Sequence, residues 1–124
     1  MHKLVILVEP LDDEQAFDDI WPQFLHLSER MPGLQREATC RVEEVLYGRY
    51  QPALIHELYF ESAAAIQAAM ISPDGQAAGE LLQKMTAGRM TLFIADHKED
   101  ELENIRKYHQ PASSDDRPRQ PNSR

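Results

Sequence analysis

Two histidines offer this chain proton chemistry. His26 lies in a stretch of helical periodicity, two residues after Phe24 and five after Trp21. Imidazole titrates near neutrality, so His26 offers a general base or a ligand contact, although its angular offset from Phe17, Trp21 and Phe24 also fits a solvent-facing position. His56 lies in an apolar, aromatic run and shares a strand face with Leu54, Leu58 and Phe60. That face is expected to point toward helices. There His56 serves either as a base beside a cavity or as a core histidine bonded to a carboxylate or backbone group.

The residues that could surround such a base are aromatic. Phe17, Trp21 and Phe24, with Leu58 across from them, are candidate walls of a pocket for a small organic molecule; ordinary core packing requires the same stripe. Glu57 and Tyr59 are expected on the opposite sheet surface, with Arg41 and Glu43 on the neighbouring strand, in cross-strand pairs or in pairs across a dimer. Cys40, alternating with Ala38 and Val42, reads as an inert buried thiol. There is no Gly-rich phosphate loop, no nucleophile elbow and no Cys/His cluster of metal-site spacing, so no metal and no cofactor are expected. Haem held by His26 or His56 is a third reading.

The elements that position these groups follow from periodicity. Leu4–Val8 is an uncharged run ended by Glu9 and Pro10, the pattern of a central strand. Asp12 and Gln15 form a capping-box pattern, and Phe17, Ile20, Trp21, Phe24, Leu27 and Met31 continue as an amphipathic helix up to Pro32 and Gly33. Pro22 predicts a kink near Asp18 to Pro22. Residues 34–45 alternate, with Leu34, Ala38, Cys40 and Val42 on one face and Glu37, Thr39 and Arg41 on the other. A turn over 47–52 and a strand over 53–60 complete a hairpin. An alanine-rich helix begins at Ser62, is interrupted at Ser72 and Pro73, restarts there and ends at Gly88. A last strand spans 89–95.

The order strand, helix, strand, strand, helix, strand predicts an α+β, ferredoxin-like βαββαβ protomer with a four-stranded antiparallel sheet and its helices on one face. The other face would expose Ile55, Tyr59 and Phe93, so a homodimer through the open sheet face is expected. Residues 1–96 form the domain, 97–109 a short helical extension, and 110–124 a disordered tail.

With 124 residues the chain has the size of one domain. The net charge is −8, and residues 97–124 carry six basic and six acidic side chains, so the whole excess lies in residues 1–96. That balance argues against nucleic acid and anionic membrane as partners. One cysteine, and only five apolar residues between Lys3 and Glu9, lead to the expectation of a cytoplasmic protein with no signal peptide and no membrane span.

Several stretches resemble the EthD family, named for ethyl tert-butyl ether degradation. They are the opening strand Lys3–Val8, the helix ending in Met31-Pro32-Gly33-Leu34, the run His56–Phe60 and, most specifically, Ser72-Pro73-Asp74-Gly75-Gln76. The resemblance covers residues 3–96 and implies a dimeric α+β barrel. It also implies membership of a superfamily that includes cofactor-free monooxygenases, haem-degrading enzymes, isomerases and dehydratases. Many family members carry a first-helix histidine followed two residues later by proline; counted back from Pro32, those positions hold Phe24 and His26 here. The resulting expectation is a small organic ligand between helices and sheet, with oxidoreductase-type or proton-transfer chemistry at His56 or His26. The alternative is a non-catalytic dimeric binding or assembly protein whose pocket is filled.

Overall fold

The uncharged run Leu4–Val8 takes the most enclosed position in the sheet. Strand β1 (His2–Val8) is flanked by antiparallel partners, β3 (Leu54–Phe60) on one side and β4 (Met90–Asp96) on the other, and β2 (Arg36–Arg41) joins the far edge of β3. The computed structural model describes residues 1–102. From residue 103 onward, the expected helical extension and tail lie outside the described residues. Between the strands, α1 (Glu14–Ser28), α2 (Ala63–Ile71) and α3 (Pro73–Thr86) cover one face, giving the ferredoxin-like α+β order with its second helix broken in two. The core sits between that face and the helices, where Ile6, Val8, Phe24, Leu58, Phe60 and Ile66 are buried.

Helix α1 is capped one residue later than the capping-box pattern predicts. Asp13 accepts a hydrogen bond from the Ala16 amide at 3.0 Å, and Gln15 donates to Asp19 instead of reaching back to the cap. The helix is continuous from Glu14 to Ser28 with Pro22 inside it. Pro22 is exposed, on the face where water can satisfy the carbonyl that the proline leaves without a donor. The break between α2 and α3 falls where Ser72 and Pro73 predict it. The Ser72 hydroxyl donates to the Ala69 carbonyl at 2.6 Å and accepts from the Gly75 amide at 3.1 Å, closing one helix and opening the next.

Register decides what the helices meet. Thr39 lies opposite His56, Glu37 opposite Leu58 and Arg41 opposite Leu54. Directly opposed residues share a face, so the polar side of β2 turns toward the helices, and Ala38 and Cys40 turn to the uncovered surface. Cys40 is therefore exposed rather than buried, because no helix covers that surface and β2 is a sheet edge. Arg41 pairs with Asp18 of α1 at 2.8 Å and is not a partner of Glu57 or Tyr59. Arg36 takes that place, its guanidinium 4.0 Å from the centre of the Tyr59 ring. Tyr59, expected to be exposed, is buried beneath Arg36 and the edge of the His97 ring, and Phe93 on the same face is 44% exposed.

Candidate functional site

His56 is fully buried, and both its ring nitrogens are engaged. Nε2 lies 2.9 Å from Glu37 Oε2, and Nδ1 lies 2.8 Å from Thr39 Oγ1. Ser28, in the last turn of α1, donates to the same Glu37 oxygen at 2.6 Å. The ring plane is fixed by Trp21 and Phe24, which meet it edge to face with centroids at 5.1 and 5.8 Å. The result is a polar chain, Ser28 to Glu37 to His56 to Thr39, along the seam between α1 and the edge strand. Its inner end is buried at Ser28, and its outer end is exposed at Thr39.

The chemistry of the donors sets the proton positions. An ionised Glu37 can only accept, so Nε2 carries hydrogen; in the neutral ring Nδ1 is then an acceptor, and the Thr39 hydroxyl donates to it. Burial on its own pushes the Glu37 carboxyl up, but the hydrogen bonds from His56 and Ser28 and the His56 charge outweigh burial and hold it below its ordinary 4.5. On the open face burial likewise raises Glu57, while Tyr59, donating at 2.7 Å, and Lys3, at 3.0 Å, bring it below its usual value.

A folded carboxyl with a depressed pKa contributes stability that is complete above its unfolded value and is lost as pH falls through the folded one. Denaturant titrations should therefore show stability declining on acidification below about pH 4.5. Glu37→Gln should flatten this decline, the remaining slope belonging to Glu57 and other carboxylates. An unchanged slope in Glu37→Gln would remove Glu37 from the ionised network.

The sequence-predicted residues divide. His56, Trp21 and Phe24 come together, Phe17 stacks on Trp21 at 5.3 Å, and Leu58 neighbours His56 on the same strand face. His26 does not join them. It is exposed on α1, with Arg30 donating to its Nε2 at 2.9 Å and the Glu29 carboxylate 3.7 Å from its Nδ1. The expected interior pocket is nearly closed where Phe24, Leu58 and Leu82 meet, leaving a void of about 40 Å³. A larger cavity of about 220 Å³ opens at the Arg41 end of the seam, lined by Leu11, Phe17, Asp18, Arg41 and Leu54 among others. Because both nitrogens of the buried His56 are occupied, that ring has no free position for a haem iron.

Glu37, Thr39 and Ser28 were not among the sequence-predicted site residues, although a signal for the first two was present. A hairpin folded symmetrically about Tyr47 and Gly48 puts Thr39 opposite His56, and residues of the same parity on β2 then share its face. Ser28 carried no such signal, since the contact depends on how α1 lies across β2. Among the described residues no group of three His, Cys, Asp or Glu side chains is placed to hold a metal ion, and no helix is long and apolar enough to cross a membrane.

No protein-family model and no curated protein matches the chain. Solved structures do. An EthD family protein from Bacillus halodurans is similar at 29% identity and a TM-score of 0.73, over 79% of this chain and 99% of that one. A dimeric ferredoxin-like protein of unknown function from Jannaschia sp. matches at 16% identity and a TM-score of 0.61, over 77% and 98% of the two chains. SnoaB, a cofactor-independent oxygenase from Streptomyces nogalater, matches at 11% identity and 0.62, over 80% and 94%. The last two share the fold alone. The chain is thus EthD-like, a ferredoxin-like α+β protomer similar to an EthD family structure and to proteins of this fold solved as dimers.

Proposed function

We propose that the protein binds a small organic molecule at the seam between α1 and β2 and uses the His56–Glu37 pair for proton transfer. The observation that carries this reading is a buried imidazole held between an ionised carboxylate and an exposed hydroxyl. Glu37 fixes the ring and stabilises the imidazolium that forms when His56 takes a proton. The Thr39 hydroxyl sits at the solvent end, where a substrate proton can enter the chain. The 220 Å³ cavity is one step along the seam, since Arg41 and Leu54 in its wall are the next same-face residues after Thr39 and His56. Its size accommodates a body of one or two rings, below the usual range for drug-sized ligands. No cofactor is required for a proton transfer of this kind, and the exposed Cys40 thiol suits a reducing, cytoplasmic setting.

The partially exposed Phe93 and the uncovered sheet face support a homodimer formed through that face, as does the dimeric state named for similar structures. Sedimentation equilibrium at micromolar concentration should return twice the protomer mass; a stable monomer there would contradict the arrangement.

The proton-transfer reading is tested with 2-indanone, an enolisable ketone, by following exchange of its α hydrogens in deuterium oxide by NMR. The folded protein should accelerate exchange, and His56→Gln should reduce the acceleration by about a hundredfold or more. Exchange no faster than buffer, or equal in His56→Gln, would favour the second reading. That is a non-catalytic binding or assembly protein, consistent with the 40 Å³ void left between Phe24 and Leu58.

A further inference from the structure

The order of contacts along the seam supports a bond-forming step in addition to proton transfer. Thr39 Oγ1 lies 2.8 Å from His56 Nδ1, and His56 Nε2 lies 2.9 Å from Glu37, whose position is set by Ser28 at 2.6 Å. This is the connectivity of a hydroxyl nucleophile, its base and the acid that orients the base. We infer that Thr39 is a nucleophile and that Thr39, His56 and Glu37 form a triad able to transfer the acyl group of a small activated ester to water. The imidazole is used in reverse of the familiar serine triad, with Nδ1 facing the hydroxyl and Nε2 the carboxylate, an exchange the ring tolerates because either nitrogen can serve as base.

Three features distinguish Thr39 from the other hydroxyls of the seam. It is exposed, whereas Ser28 is fully buried and its one hydroxyl hydrogen is already given to Glu37. It lies on the helix-facing side of β2, away from the open face assigned to the dimer. Its backbone is also turned the right way. The Val42 amide donates to the Ala53 carbonyl, the pair that follows Arg41 and Leu54 in the register, so the even-numbered residues of β2 turn their amides toward β3. By the alternation of an antiparallel ladder, the amides of Glu37, Thr39 and Arg41 then face the free edge. The Thr39 amide, beside its own Oγ1, is available to hold the oxygen of a tetrahedral intermediate.

The step balances without a further reagent. Oγ1 attacks the ester carbonyl as its proton moves to His56 Nδ1, and collapse of the intermediate expels the alcohol or phenol, which leaves with that proton. Water, deprotonated by His56, then attacks the acyl-threonine, and the acid departs as Oγ1 regains its hydrogen.

The test uses p-nitrophenyl acetate with the full chain, reading phenolate release, the intact mass and the acetylated peptide. The expected result is a burst of phenolate and one acetyl group on Thr39. Both should be retained in Thr39→Ser, and both should fall at least tenfold in Thr39→Ala and His56→Gln. Acetyl groups found only on lysines, or phenolate release unchanged in Thr39→Ala, would overturn the assignment. Measuring 2-indanone exchange on the parent protein keeps the two readings separable: accelerated exchange with no acetyl group on Thr39 contradicts the nucleophile and leaves the base in place.

Discussion

Gly75→Ala is expected to lower stability by about 3 kcal/mol or more, the largest cost of any single methyl addition considered for this fold. A Cβ at Gly75 would stand 2.0 Å from the Ala69 carbonyl oxygen and 3.0 Å from the Met70 Cα. Both obstacles are backbone, so no side-chain rotation relieves the clash. The chain would have to separate α2 from α3, losing the two hydrogen bonds of Ser72 that hold the junction, a capping contribution of about 1 kcal/mol. Gly79, one turn further along α3, has nothing within 4 Å of an added Cβ. Gly79→Ala should therefore raise stability by about 0.5–1 kcal/mol through helix propensity alone. Thermal unfolding of the two variants checks the contrast, with Gly75→Ala melting roughly 10 °C or more below the parent. Equal melting of Gly75→Ala and the parent would mean that the Ser-Pro-Asp-Gly segment is not the tight junction described.

Glu37→Leu is expected to act on both stability and chemistry. It removes the acceptor of His56 Nε2 and of Ser28 Oγ together. Ser28 retains the Leu25 carbonyl at 3.2 Å, but the His56 N–H has no other partner among the described residues, and its burial makes the loss cost about 1–3 kcal/mol. Glu37→Gln keeps an acceptor oxygen and should cost less than about 1 kcal/mol. Without the carboxylate, the imidazolium formed during proton abstraction loses its stabilising charge, so 2-indanone exchange should fall tenfold or more in Glu37→Leu. Urea denaturation and the exchange assay on the same two proteins measure both effects. If Glu37→Leu were as stable as the parent, the bonds to Glu37 would not be formed in solution.

The order of elements was legible because each has its own local signal: the uncharged run of β1, the aromatic stripe of α1, and the Ser72 and Pro73 restart of the second helix. His56 was legible as an inward residue because its neighbours at two-residue spacing are Leu54 and Leu58. The alternation of β2 showed two faces without showing which of them meets the helices. Hydrophobicity points to Ala38 and Cys40, yet the pairing of Thr39 with His56 turns the polar side inward, and the open face keeps the small apolar residues. His56 makes that inward polar side favourable, since a buried imidazole needs a partner for each nitrogen, and Glu37 and Thr39 supply them. The site itself is therefore a tertiary property. It depends on a hairpin register and on the place where the end of α1 sets Ser28 against Glu37.

The central claim, that an ionised Glu37 orients His56 with its free lone pair toward Thr39, is tested most directly by nitrogen NMR of the His56 ring in histidine-labelled protein. The contacts predict that the neutral ring carries its hydrogen on Nε2, with Nδ1 bare and accepting from Thr39, and that Glu37→Leu removes this preference. A neutral ring found with hydrogen on Nδ1, or unchanged by Glu37→Leu, would contradict the account.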